Sequence, residues 1–167
     1  MKHLSIFKSF GILLLSLSSS VGATSFIQSN ATLQFESGSE LNICTGNTLE
    51  NNGTLIIKGE AKIGGEGCIK NKSIIQLNDI DNNEKNLILS GEGSIEVNKP
   101  KDSATISLLH LENANQTLSG DNNEKVTITK LEIKDSSIFT NSKENLNITN
   151  SSIDGEFVVL DGDTTFD

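Results

Sequence analysis

Between Leu131 and Ile153 the chain spells nearly the same eight residues twice. Leu131-Glu132-Ile133-Lys134-Asp135-Ser136-Ser137-Ile138 returns 15 residues later as Leu146-Asn147-Ile148-Thr149-Asn150-Ser151-Ser152-Ile153, with five of eight positions identical. Looser echoes stand upstream. Leu55-Ile56-Ile57-Lys58-Gly59-Glu60 aligns with Leu87-Ile88-Leu89-Ser90-Gly91-Glu92, and Asn52-Gly53-Thr54-Leu55-Ile56 with Asn71-Lys72-Ser73-Ile74-Ile75. The implied period is irregular, about 15 to 20 residues. A unit that short, without a helix, cannot bury an apolar face alone, whereas successive copies stacked on one another can.

The local pattern says what is stacked. Leu33-Gln34-Phe35, Leu41-Asn42-Ile43, Ile95-Glu96-Val97, Val126-Thr127-Ile128, Leu131-Glu132-Ile133 and Leu146-Asn147-Ile148 each set two apolar side chains on one face and a polar one on the other. That period of two marks half-buried strands. Between them come Asn51-Asn52-Gly53, Gly64-Gly65-Glu66-Gly67, Asp81-Asn82-Asn83 and Gly120-Asp121-Asn122-Asn123. These residue types tolerate the backbone conformations of sharp corners.

Short strands, corners and repeats together predict a right-handed parallel β-helix over residues 24–167, with about seven or eight coils and rungs about 4.8 Å apart. The 19 asparagines have two readings: a structural role, in which amides at one corner bond to those above and below, or compositional drift in a low-GC genome. The competing architecture is an antiparallel β-sandwich, which shares short alternating strands but needs no repeats. Phe157-Val158-Val159-Leu160 runs into Asp161-Gly162-Asp163 at the end of the chain, which reads as an uncapped coil open to end-to-end self-association.

Residues 1–23 read as an export signal rather than as fold. Lys2 and Lys8 precede the apolar run Ile12 to Leu17, and Val21-Gly22-Ala23 supplies small residues for cleavage after Ala23. That run is far short of the roughly 20 residues a spanning helix requires. The mature chain has no other candidate span. Removing the leader takes two lysines and no acid, so the formal charge goes from −9 to −11. In an oxidising compartment Cys44 and Cys68, 24 residues apart, become a possible disulfide; two separate small buried side chains are the other reading.

Leu49-Glu50-Asn51-Asn52-Gly53-Thr54-Leu55-Ile56-Ile57-Lys58-Gly59, followed by Ile63-Gly64-Gly65-Glu66-Gly67, resembles the repeats of bacterial autotransporter passengers and haemagglutinin-type surface adhesins. The resemblance implies a passenger shown or released at the cell surface, outside the outer membrane, to adhere to a host or cell-surface ligand. Such passengers precede a C-terminal translocator barrel. No run of alternating membrane strands follows Asp167, so the chain resembles the N-terminal part of a passenger, a truncated non-functional fragment of one, or a small secreted relative.

Composition removes several chemistries. Nucleic acid is excluded as a partner by an acidic chain with no Arg, Trp or Tyr. A β-helical polysaccharide lyase or glycoside hydrolase is the enzymatic alternative, disfavoured by the missing arginine and scarce aromatics. His110, within Leu108-Leu109-His110-Leu111-Glu112, has no serine partner in view and reads as structural or exposed. Gly64-Gly65-Glu66-Gly67 and Asp161-Gly162-Asp163 are weak calcium patterns, since Cys68 and Ile69 stand where the first would need an acid. Thr127 aligns through the repeats with Glu132 and Asn147, so no rank of threonines is expected. The expectation is therefore a non-catalytic secreted or surface protein with no catalytic, cofactor or metal residues.

Overall fold

In a computed structural model, which describes residues 24–80, 85–98, 103–120, 125–143 and 145–167, every regular element is a β-strand and every strand pairing is parallel. The leader proposed at residues 1–23, and the corners at Asp81-Asn82-Asn83 and after Gly120, lie outside the described residues.

The chain winds as a three-faced solenoid. The first rung holds β1 (Thr24–Ile27), β2 (Thr32–Phe35) and β3 (Glu40–Ile43), and the second β4 (Thr48–Asn51), β5 (Thr54–Lys58) and β6 (Lys62–Gly65). The third has β7 (Cys68–Asn71) and β8 (Ile74–Asn78), with a single bridge from Ile63 to Lys85 on its third side. In rungs four and five one long strand covers two faces: β9 (Asn86–Asn98) precedes β10 (Ser103–Ile106), and β11 (Leu108–Gly120) precedes β12 (Lys125–Ile128). Rung six is β13 (Leu131–Lys134), β14 (Ile138–Asn141) and β15 (Asn145–Ile148). Rung seven is β16 (Ser151–Ile153), β17 (Glu156–Val159) and β18 (Asp163–Phe166). On the first face the order is β1-β4-β7-β9-β11-β13-β16. That makes about six turns from first rung to last, slightly fewer than the seven or eight coils expected.

All six alternating triplets fall in strands with their apolar residues turned inward. Leu33, Leu55, Ile75, Ile95 and Leu118 stack in one column. Leu49, Ile69, Leu89, Leu111 and Ile133 form another. Except for half-buried Leu33, these side chains are at most 4% exposed, and each such burial is worth roughly 1.5–3 kcal/mol.

The period needs correction. Stacked residues lie between 18 apart, as in Asn145 and Asp163, and 24 apart, as in Thr24 and Thr48. The 15-residue repeat does not connect rungs at all. It relates β13 to β15, two faces of the same turn, because each face of such a coil solves the same problem with apolar-polar-apolar and then a corner. The echo of Asn52 at Asn71 lies one residue off the true register, in which Asn51 stacks on Asn71, 20 residues on.

Polar chemistry at the corners continues into the core. Asn51 and Asn71 are buried, and Asn51 Nδ2 donates to Asn71 Oδ1 at 2.8 Å. Asn71 Nδ2 donates in turn to Gln116 Oε1 at 2.9 Å, and Gln116 Nε2 to the Gly91 carbonyl at 2.9 Å. Gln116 therefore reaches across rung four. Gly93 makes this possible, for a Cβ there would lie 2.5 Å from Asn71 Nδ2. At another corner Asn98 Nδ2 donates to Asn78 Oδ1 at 3.2 Å. The amide ladder is thus a real element of the stack. Left-handed backbone at Asn30, Asp79, Asn113 and Asp135 places Asn and Asp where their tolerance of that conformation is used.

Candidate functional site

Inward burial of the apolar residues leaves the alternate positions to form three outer faces, each a set of columns with one residue per rung. On the second face Thr32, Thr54, Ile74, Ser94, Thr117, Thr140 and Val158 stand in register. Beside them run Gln34, Ile56, Gln76, Glu96 and Ser119, and Gln76 Nε2 donates to Glu96 Oε2 at 3.0 Å. On the third face Thr105, Thr127, Asn147 and Thr165 align. Threonine recurs on both faces without forming an unbroken rank: Ile74, Ser94 and Val158 interrupt the second-face column, and Asn147 stands in register with Thr127 on the third, as the repeats led one to expect. Thr127 stacks with Thr105 and Asn147, while Glu132 belongs to the first face; the 15-residue repeat had matched different faces.

The third-face column borders a shallow depression of about 360 Å³ lined by Lys125, Asn145, Leu146, Asn147, Asp163, Thr165 and Asp167. Asn147 Oδ1 is buried there without a hydrogen-bond partner among the described residues.

Among the described residues the densest ionic group lies on the first face, where His110 stacks on Glu132. His110 Nδ1 lies 2.6 Å from Glu132 Oε2, Lys130 Nζ 2.7 Å from Glu132 Oε1, and His110 Nε2 3.6 Å from Glu112 Oε2. The hydrogen bond from Lys130 first, and then that from His110, hold the Glu132 carboxyl down to about 2. So acidic a carboxyl is a poor proton acceptor near neutral pH. His110 is half-buried between two acids, which fits the structural reading of this residue. A second pair, Lys72 Nζ to Glu50 Oε1 at 2.8 Å, lowers Glu50, with help from Asn52.

Cys44 is exposed at the corner after β3, and Cys68 is half-buried at the start of β7; both are free thiols in the structure. Cys68 Sγ lies 3.3 Å from Ser90 Oγ. The Gly64–Gly67 segment ends β6 and turns the corner, where Glu66 accepts a hydrogen bond from Thr45 Oγ1 at 2.7 Å. At Asp161-Gly162-Asp163 the Gly162 amide donates to Asp161 Oδ1 at 2.9 Å.

Sequence reasoning missed Gln116 and two fully buried lysines, Lys85 and Lys143. Gln116 could have been found from alternation, which places it inward between Ala114 and Leu118. No helix among the described residues is long and apolar enough to cross a membrane. The parallel solenoid is compatible with a β-helical passenger domain. Compared with models of known protein families, with curated proteins and with solved structures, the chain matches none.

Proposed function

We propose that this chain is an exported β-solenoid, passenger-like in type, that acts without catalysis by adhering through its outer faces to a host or cell-surface ligand. The observation that carries the reading is the second face, where a seven-residue column of Thr, Ser and β-branched side chains runs beside Gln34, Ile56, Gln76, Glu96 and Ser119. Such a surface offers regularly spaced hydroxyls and amides over an inflexible backbone, suited to many weak contacts with a repetitive ligand. The acidic charge and the lack of arginine and stacking aromatics turn this surface away from nucleic acid. The leader reading of residues 1–23 supports export to the outer surface.

The test is binding of the full mature chain to immobilised glycans and to intact cells. Thr54→Lys with Thr117→Lys, which alter the second face and leave the inward columns intact, should reduce retention at least tenfold. Cleavage of any glycan during incubation would replace this reading with the enzymatic one.

A further inference from the structure

Many outward side chains of the stack satisfy one another. Gln76 bonds to Glu96, Lys72 to Glu50, and Lys130 and His110 to Glu132. The third face between rungs five and seven is different. Lys125, Asn145, Asn147, Asp163, Thr165 and Asp167 line the depression of about 360 Å³ there, and among the described residues none of the six side chains has a hydrogen-bond or ion-pair partner.

Register builds this place. Asn145 stands beside Asp163 and Asn147 beside Thr165, so two amides of rung six adjoin a carboxylate and a hydroxyl of rung seven across one strand spacing of about 4.8 Å. Thr127 flanks Asn147 on the other side, and Lys125 brings an ammonium from rung five. The Asp167 amide donates to the Ile148 carbonyl at 2.9 Å, which ties the far end of the lining to rung six. The outward side chains of a strand point away from the core, at right angles to the axis of stacking, so the depression opens sideways from the solenoid. A strand added beside β18 lengthens this face and does not close it.

Asn147 Oδ1 shows which contact is unmet. It is buried without a partner among the described residues, a condition that acceptors rarely keep in a folded chain. Rotation about the broad terminal torsion of the asparagine side chain turns this oxygen toward the depression, where a donor from outside satisfies it. The occupant must therefore bring donors. It must also bring acceptors, for the Lys125 ammonium and the Asn145 amide, and it must not be an anion, because Asp163 and Asp167 outnumber Lys125. A saccharide without acidic groups has that chemistry, since each of its hydroxyls both donates and accepts. The volume lies at the lower end of the roughly 300–1,000 Å³ of small-ligand sites. No aromatic ring lines the depression, so the sugar is held by hydrogen bonds rather than by stacking.

We infer that the third-face depression is a binding subsite for a neutral saccharide unit, held by Asn145, Asn147, Asp163 and Thr165 with Lys125 and Asp167 at its ends. Binding exchanges the unmet acceptor of Asn147 for a bond to a sugar hydroxyl. This goes beyond adhesion through the second face, because it assigns a different face, a ligand class and the groups that recognise it.

The test is a nuclear magnetic resonance titration of the full mature chain, in separate arms, with cellotriose, maltotriose and mannotriose, and with trigalacturonate as the acidic control. At least one neutral trisaccharide should shift the side-chain amide signals of Asn145 and Asn147 saturably at millimolar concentration, with backbone shifts confined to residues 125, 145–147 and 163–167. Trigalacturonate should bind at least fivefold more weakly. Asn147→Leu keeps the shape, removes the acceptor and should weaken binding at least fivefold. Asn145→Ala and Thr165→Val alter only exposed side chains, should give a similar loss, and decide the matter if the leucine variant fails to fold. Absence of a saturable shift with all three neutral sugars would overturn the proposal, as would binding that persists in the exposed-residue variants or equal binding of trigalacturonate. A shift of the same amides by calcium chloride alone, with sugar binding abolished by a chelator, would make the depression a cation site and overturn it too. Thr54→Lys with Thr117→Lys should leave these titrations unchanged, so failure of the second-face reading and failure of this one are distinguishable.

Discussion

The first and last rungs obey the same alternation and end in opposite conditions. Ile27, Phe35, Leu41 and Ile43 of the first rung are between 1 and 5% exposed, whereas Ile153, Val159 and Phe166 of the last are all above 40%. A parallel solenoid is polar along its axis. Ile27 and Ile43 lean onto the corner glycines of rung two, so the second rung closes the first. The seventh leans toward a place that none of the described residues occupies. Burial in this fold depends on whether another rung covers a residue as much as on its place in the alternation.

The largest effect expected is therefore a contrast between two residues of one column. Leu111 is fully buried between Leu89 and Ile133, and Ile153 ends the same column. Leu111→Ala should cost about 2–5 kcal/mol, read from the urea midpoint. Ile153→Ala should cost about 1 kcal/mol or less. Equal losses would mean that the last rung is as well packed as the middle, and the contrast between the ends would fail.

Next come the amides that the middle rungs contain and the last rung does not. Asn71→Ala removes the link between Asn51 and Gln116, leaving buried polar groups without partners at roughly 1–3 kcal/mol. Gly93→Ala pushes a methyl group toward Asn71 Nδ2 and should cost about 1–3 kcal/mol by crowding. Urea midpoints of the two single variants and their double measure the coupling. Strict additivity would show that the crossing of Gln116 over Gly93 does not depend on Asn71.

These contrasts also mark where the sequence was legible. Alternation located the strands because inward and outward positions differ in solvent, and that difference is written residue by residue in triplets such as Ile95-Glu96-Val97. Stacking was harder to read, since which rung lies over which depends on the whole turn length. The repeat of Leu131 at Leu146 reports two faces of one turn, so it sets Glu132 beside Thr127 although the two stand on different faces. Gln116, Lys85 and Lys143 were missed for a related reason. A buried polar residue has no local signature, and its partners come from rungs 20 or more residues away, as Asn71 and Gln116 do across 45.

A smaller effect should appear on the first face. The Glu132 carboxyl is lowered from 4.5 to about 2 in the folded chain, so its stabilising contribution is complete above pH 4.5 and is lost as the pH falls toward 2. Glu132→Gln should cost about 1–2 kcal/mol at pH 7. The gap between the parent and the variant should close across that acidic window, as read by urea midpoints at successive pH values. A gap independent of pH would mean that the side chain acts by packing rather than by its charge.

The smallest effect concerns one exposed apolar residue at each end of the stack. Phe26, on the outer side of β1, is 63% exposed, and Leu160, at the corner after β17, is 68% exposed. Neither buries enough surface to matter for folding, so Phe26→Ser and Leu160→Ser should each shift stability by about 0.5 kcal/mol or less. Their surroundings nevertheless differ. Phe26 projects outward beside Glu50 in the register of the first face, whereas Leu160 adjoins exposed Val159 at the open edge. Contiguous apolar surface, rather than a single exposed ring, is what binds an apolar dye. Leu160→Ser should therefore reduce dye fluorescence with the folded chain, and Phe26→Ser should leave it nearly unchanged. Equal reductions would show that the last rung offers no continuous apolar surface, whatever the exposure of its individual residues.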